Sequence, residues 1–375
     1  MQKREISKLG ITVSRLGFGG MRMPEKDGQV DYPQTEAMID YLLENGVTYY
    51  DTAWFYHGGQ SEPFLRKALV ERHPRDSFTV ATKLPLGECN TLADAERVFE
   101  TQCKNLGVET IDFYLLHGIG AEGWAKAKAL GLPDFLRRLK AEGKIRFAGF
   151  SFHDKNETLP PILDDNQWDF CQVQINYADW HQRGADTLYQ ALADREIPII
   201  VMEPVRGGGL TRLYPEMEAV LRGLDPEPSL ASWALRFCAT LPHVDVILSG
   251  MSSMEQCRDN VNTFSHFTSL KEAELEGLRG IAQAFDKLPL IPCTQCRYCA
   301  DCPQGIDIAE LFGKYNRFMQ YQQGWGLHNY VLNTPEEHKA TACVQCGYCE
   351  SRCPQGIEIP KELVRVHEAA VRLVG

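Results

Sequence analysis

Eight of the thirteen cysteines fall between Cys293 and Cys353, and their spacing is the most specific chemical signal in the chain. Cys343, Cys346, Cys349 and Cys353 follow the pattern C-x2-C-x2-C-x3-C, and Pro354 completes it. Cys293, Cys296, Cys299 and Cys302 repeat the pattern one residue shorter, before Pro303. Three thiolates at two-residue gaps wrap three corners of an iron–sulfur cubane, and the proline after the fourth turns the chain away. Structural zinc instead favours two separated C-x2-C pairs around one tetrahedral ion. The triple followed by Cys-Pro, present twice, predicts two [4Fe–4S] clusters with these eight cysteines as ligands. The remaining five, Cys89, Cys103, Cys171, Cys238 and Cys257, are scattered and read as small buried apolar residues.

A second group of polar residues closes apolar runs. Asp51 lies in TYYDTA (48–53), Lys83 ends FTVATK (78–83), and His117 ends IDFYLLH (111–117). Tyr56 follows five residues after Asp51. Singly, each has an ordinary structural reading: a helix-capping aspartate, a lysine snorkelling into water, a satisfied core histidine, a surface tyrosine. Their joint placement depends on the elements that carry them.

Those elements alternate. Further strand-like runs lie at 15–20, 145–151, 170–175, 197–202 and 243–250, several of them continuously apolar, as strands buried on both faces are. Between them, segments such as 34–46, 91–107 and 228–241 carry apolar residues at three- and four-residue steps. Eight strands alternating with helices predict a closed (β/α)8 barrel of the TIM type. A doubly wound sheet would want a phosphate-binding turn opening a helix, whereas Gly17-Phe18-Gly19-Gly20 runs into Met-Arg-Met-Pro. In the barrel, Asp51, Lys83 and His117 end the second to fourth strands, so with Tyr56 they converge on the face where barrel active sites are assembled. A helix at 271–287 closes this part, and the expected division is a barrel over 1–289 and a cysteine domain over 290–375. The latter contains an internal repeat, 293–308 against 343–359, joined by an amphipathic helix at 307–323.

Composition sets outer limits. The 375 residues carry 39 Lys and Arg against 50 Asp and Glu, a net charge of −11, which disfavours a general nucleic-acid binder. No run approaches the apolar length of a membrane span, and the opening MQKREISKLG lacks the apolar stretch of a secretory signal. The expected location is cytoplasmic, without a membrane or nucleic-acid partner.

The cysteine motifs resemble those of two-cluster ferredoxins, in which the fourth cysteine serves the other cluster. That resemblance implies one cluster on Cys293, Cys296, Cys299 and Cys353, and one on Cys343, Cys346, Cys349 and Cys302. The long, helical connection makes the domain similar to the small, mainly α-helical ferredoxins. The barrel resembles the aldo-keto reductases over residues 3–265, through DTAWFYHGGQSE (51–62), VATK (80–83) and FYLLH (113–117). The resemblance implies a catalytic tetrad: Tyr56 as general acid, Lys83 and Asp51 tuning it, His117 orienting a carbonyl. The residue types suit that chemistry, because a neighbouring ammonium favours the phenolate and a carboxylate keeps the ammonium charged. For the nicotinamide dinucleotide, NADH or NADPH, the resemblance implies Ser151 and Gln174 at the carboxamide, and Gly250, Ser252, Ser253, Gln256 and Asn260 around the adenosine phosphate. Ser252 stands where the family commonly has Arg or Lys, with Arg258 nearby, and Phe152 where it has Asn. EPVRGGGL (203–210) replaces the usual Ser-Pro-Leu-Gly loop and brings Glu203 and Arg206 to the mouth, either for substrate or as an ion pair fixing the loop. The implied function is an iron–sulfur-containing oxidoreductase interconverting a small carbonyl compound and its alcohol. Two alternatives stand beside it: a reductase fed single electrons through the clusters from a ferredoxin or flavodoxin, and a non-catalytic redox-sensing barrel.

Overall fold

The doubly buried apolar runs become eight parallel strands in the computed structural model, which describes residues 1–321 and 323–374. They are β1 (Leu16–Gly19), β2 (Tyr49–Asp51), β3 (Thr79–Pro85), β4 (Ile111–Ile119), β5 (Ile145–Phe152), β6 (Phe170–Gln174), β7 (Ile199–Met202) and β8 (Val244–Ser249). Pairing runs β6-β7-β8-β1-β2-β3-β4-β5 and returns to β6, so the barrel is closed and leaves no edge. β3 and β4 each extend two residues past the expected ends. Lys83 and His117 are thus next-but-one to a strand end, and only Asp51 is terminal.

Register explains why these three side chains still meet. Asp51 pairs with Ala81, Lys83 with Leu115, and Pro85 with His117. Each successive polar residue lies two positions beyond the partner of the last. Two residues preserve the face of the pleat, so all three point the same way as the strands tilt around the barrel.

Helices α1 (Tyr32–Glu44) and α2 (Leu92–Leu106) begin on local signals. Asp31 accepts from the Gln34 amide at 3.2 Å, and Thr91 with Asp94 forms a capping box. There follow α3 (Leu132–Ala141), α4 (Ala185–Ala193), α5 (Pro215–Leu224), α6 (Leu230–Thr240), α7 (Met254–Ser265) and α8 (Glu272–Asp286). The sequence reading missed an antiparallel hairpin, Lys3–Ile6 with Ile11–Ser14. Its Ile6 and Val13 join Tyr49, Phe113, Phe147 and Phe170, which stand near the starts of their strands, in one buried cluster. The hairpin therefore seals the end of the barrel opposite the polar residues.

The chain forms two compact units that are not contiguous in sequence. One comprises 1–204 and 231–275; the other comprises 205–230 and 276–375. In the second, α9 (Ile308–Tyr321), α10 (Trp325–Asn333) and α11 (Ile359–Val374) enclose a core that includes Ile291, Phe312, Leu327, Leu363 and Val366. The internal repeat is structural: Gly305 donates to the Cys302 carbonyl at 2.9 Å and Gly356 to that of Cys353 at 3.1 Å, and each turn leads into a helix, α9 or α11. No helix among the described residues is long and apolar enough to cross a membrane.

Barrel closure needs a side-chain-free position between β5 and β6. A β-carbon at Gly149 would lie 2.6 Å from the Phe170 carbonyl oxygen and 2.7 Å from its ring. Gly149→Val is expected to cost about 1–3 kcal/mol and to lower the thermal unfolding midpoint by several degrees. An unchanged midpoint would mean that the strand pair spreads freely.

Candidate active site and cluster module

Lys83 is 1% exposed and Asp51 2%, so their charges are removed from water together. The ammonium donates to both Asp51 carboxylate oxygens, at 2.7 and 2.8 Å, and to the Thr52 carbonyl at 2.8 Å. Those contacts use its three protons. Its approach to the Tyr56 hydroxyl is longer, 3.4 Å, as catalytic contacts often are before substrate binds. Burial pulls the Lys83 pKa down and pushes that of Asp51 up, and each partner opposes the shift of the other.

Tyr56 arrives from the turn after β2, Tyr56–Gly59, in which His57 takes φ 52°. His57 is anchored by its Nδ1, 2.9 Å from Glu25. The Tyr56 and His117 rings stand nearly perpendicular with centroids 6.3 Å apart. Burial, then Lys83, then His153 holds the His117 pKa well below its ordinary value, so the imidazole is neutral. Asp51, Tyr56, Lys83 and His117 are thus brought together.

Several residues that complete this site were not singled out in the sequence. Burial, then Lys83, pushes His153, directly after β5, down to about 4. Glu62, 1% exposed, accepts from Thr82 at 2.6 Å, Gln102 at 2.7 Å and Asn105 at 3.1 Å. Gln102 also donates to the Lys83 carbonyl at 3.0 Å, fixing the backbone of the central lysine. The only sequence signal was an isolated Glu beside an apolar run. Asp179, also buried, gathers Gln174 at 2.8 Å and Asn176 at 2.7 Å.

The expected dinucleotide residues occupy two places. Ser151, in β5, accepts from the Gly118 amide at 2.9 Å, and Gln174 ends β6. The others surround the start of α7. Ser253 caps it by accepting from the Gln256 amide at 3.3 Å, the Gln256 side chain accepts from the Ser252 amide at 2.7 Å, and Asn260 donates to Ser249 at 2.8 Å. Ser252 donates to the Arg22 carbonyl at 2.7 Å. A β-carbon on Gly250 would lie 2.5 Å from Cγ of Arg22, so the aliphatic part of that side chain packs against this loop. A capped helix N-terminus beside an arginine fits a phosphate group. Arg22 also stands 3.8 Å from Glu203, which takes φ 56° at the end of β7.

In the second unit the eight motif cysteines line two cavities. One is bordered by Cys293, Cys296, Cys299 and Cys353. The other is bordered by Cys302, Cys343, Cys346 and Cys349. Each takes three cysteines from one motif and the fourth from the other. Among the described residues, no group of three or more His, Cys, Asp or Glu side chains is close enough to hold a single metal ion. Four thiols drawn from two motifs around each cavity are the donor set that a cubane with separate corners takes.

Residues 15–283 match the family model described as "Aldo/keto reductase family", and 292–358 match "4Fe-4S dicluster domain". The chain belongs to the aldo/keto reductase family. This aldo/keto reductase is 25% identical over 293 residues to L-galactose dehydrogenase of Arabidopsis thaliana, spanning 72% of this chain and 90% of the relative. The holo form of an aldo-keto reductase from Bacillus halodurans superposes with a TM-score of 0.64 at 25% identity, over 76% of this chain and 97% of the other. A Klebsiella pneumoniae aldo/keto reductase in complex with NADP and acetate shares the fold, with a TM-score of 0.62 at 21% identity, over 75% of this chain and 96% of the other. The aldo/keto reductase described here is an oxidoreductase enzyme that adds an iron–sulfur domain to the barrel.

Two tests address the buried charges. Lys83→Met leaves Asp51 buried without a cation and is expected to cost about 3–5 kcal/mol, whereas Asp51→Asn with Lys83→Met should cost much less. Denaturant unfolding of the single and double variants would show this; equal losses would mean that the pair is not coupled.

The second test concerns pH. His153 is neutral in the folded barrel down to about 4, but in the unfolded chain it protonates below about 6.5. The unfolded state then binds more protons, so stability is intact above about pH 6.5 and falls as pH drops toward 4, at up to about 1.4 kcal/mol per pH unit. His153→Gln should flatten that decline in denaturant titrations, and an unaltered slope would assign the decline to other groups.

Proposed function

We propose that this enzyme interconverts a small carbonyl compound and its alcohol, with Tyr56 as proton donor and a nicotinamide dinucleotide as hydride source. The observation that carries the reading is Lys83, fixed by Asp51 and Thr52 and set 3.4 Å from the Tyr56 hydroxyl. The dinucleotide, when bound, supplies the hydride to the carbonyl carbon. The developing alkoxide needs a proton, and the Tyr56 hydroxyl delivers it. The phenolate left behind is stabilised by the Lys83 ammonium. Neutral His117 donates its N–H to the carbonyl oxygen and fixes its direction. Ser151 and Gln174 hold the nicotinamide end; Gly250, Ser252, Ser253, Gln256 and Asn260 hold the phosphate end, with Arg22 as the cation that Ser252 is not.

The reading extends to two [4Fe–4S] clusters, one on Cys293, Cys296, Cys299 and Cys353 and the other on Cys302, Cys343, Cys346 and Cys349. The linings of the two cavities support these sets. The same cavities favour a second reading, in which single electrons from a ferredoxin or flavodoxin reach the enzyme through the module.

Tyr56→Phe is expected to abolish carbonyl reduction while leaving about eight irons per chain in anaerobically purified protein. Retained activity would move the acid role to another group, His117 first. Four irons, or stoichiometric zinc, would overturn the two-cluster assignment independently.

A further inference from the structure

The two cysteine motifs are near copies, yet they sit in opposite surroundings. Thr294 is 2% exposed, whereas its counterpart Val344 is 60% exposed. Cys296 is half-buried and Cys346 exposed. The polar residue is inside and the apolar one outside, the reverse of what water selects. Backbone conformation does not account for this. Gln295 and Arg297 take left-handed φ of 55° and 63°, and Gln345 and Gly347 take 52° and 76°. The loops have the same turn, so the difference lies in what covers them.

Over Thr294 lies the backbone of Gly207. A β-carbon on Gly207, at φ 61°, would fall 2.5 Å from the Thr294 carbonyl oxygen and 2.8 Å from its Cα. Only a glycine permits that approach. The stretch Val344-Gln345-Cys346 is exposed throughout. The two cavities adjoin, because Ile308 lines both.

We propose that the clusters divide the work of electron exchange. The group on Cys302, Cys343, Cys346 and Cys349 exchanges single electrons with a one-electron carrier in solution, across the Val344–Cys346 edge. The group on Cys293, Cys296, Cys299 and Cys353, covered by the loop at Gly207, exchanges through its neighbour. This rests on the two-cluster reading above. At each transfer the reduced carrier loses one electron and one cluster passes from the 2+ to the 1+ state. Two carriers fill both clusters, and no bond or proton is moved.

The test uses full-length, cluster-loaded protein under anaerobic conditions, with cluster absorbance followed by stopped flow. Reduction is driven by reduced methyl viologen, a cation, and reoxidation by indigo disulfonate, an anion. Val344→Glu should speed the first and slow the second, each about fivefold at low salt, with both effects fading at high salt. Leu332→Glu is the control, since Leu332 is 57% exposed and lines neither cavity; it should leave both rates unchanged. Identical rates in the two variants would overturn the proposal. Iron analysis and electron paramagnetic resonance of the reduced protein judge the two-cluster reading separately. Two cluster signals with rates insensitive to Val344→Glu refute only the exchange edge, whereas a single cluster signal refutes the reading beneath it.

Discussion

The Lys83–Asp51 ion pair is the constraint around which the barrel mouth is arranged. Two charges removed from water cost several kcal/mol each unless geometry and further hydrogen bonds offset the loss. The surrounding residues supply that compensation: the Thr52 carbonyl takes the third ammonium proton, and Gln102, held by Glu62 and Tyr114, fixes the lysine backbone. The same buried cation helps to keep His117 and His153 uncharged. The ion pair thus fixes a positive centre beside a phenol, and burial first, then that centre, keeps the imidazoles uncharged. The apolar hairpin at the opposite end leaves this face as the place where polar residues gather.

The cysteine module reaches its form by a different route. It has little sequence with which to bury a core, and its two halves repeat one design: cysteine loop, proline-terminated turn, helix. Exchange of the fourth cysteine between halves ties them to each other, since neither motif completes a four-cysteine cavity alone. The two halves must therefore come together before either cavity has its four cysteines.

Much of this was legible because the decisive signals are local. Continuous apolar runs mark parallel strands buried on both faces, and apolar residues at three- and four-residue steps mark α2. Polar residues closing such runs have few places to go, which sets Asp51, Lys83 and His117 at one face. Cysteine spacing is local too. The missed features depend on distant partners. Glu62 is buried because Thr82, Gln102 and Asn105 come to it from two other elements. His153 is kept neutral by burial, then by Lys83, far away in sequence. The hairpin at Lys3–Ile6 is only four residues per strand, and its role appears once a barrel end is there to be filled.

The discontinuous second unit bears on how the chain matures. Residues 205–230, between β7 and α6, pack with partners that are made much later: Gly207 meets Thr294, and the Tyr214 hydroxyl donates to the Met319 carbonyl, 105 residues downstream, at 2.6 Å. A ribosome adding roughly 5–20 residues per second leaves that segment without those partners for about 5–20 s. During this interval the seventh strand has emerged, but the stretch that follows it has nowhere to settle. The second unit can therefore close only after the cysteine-bearing C-terminal segment has left the ribosome.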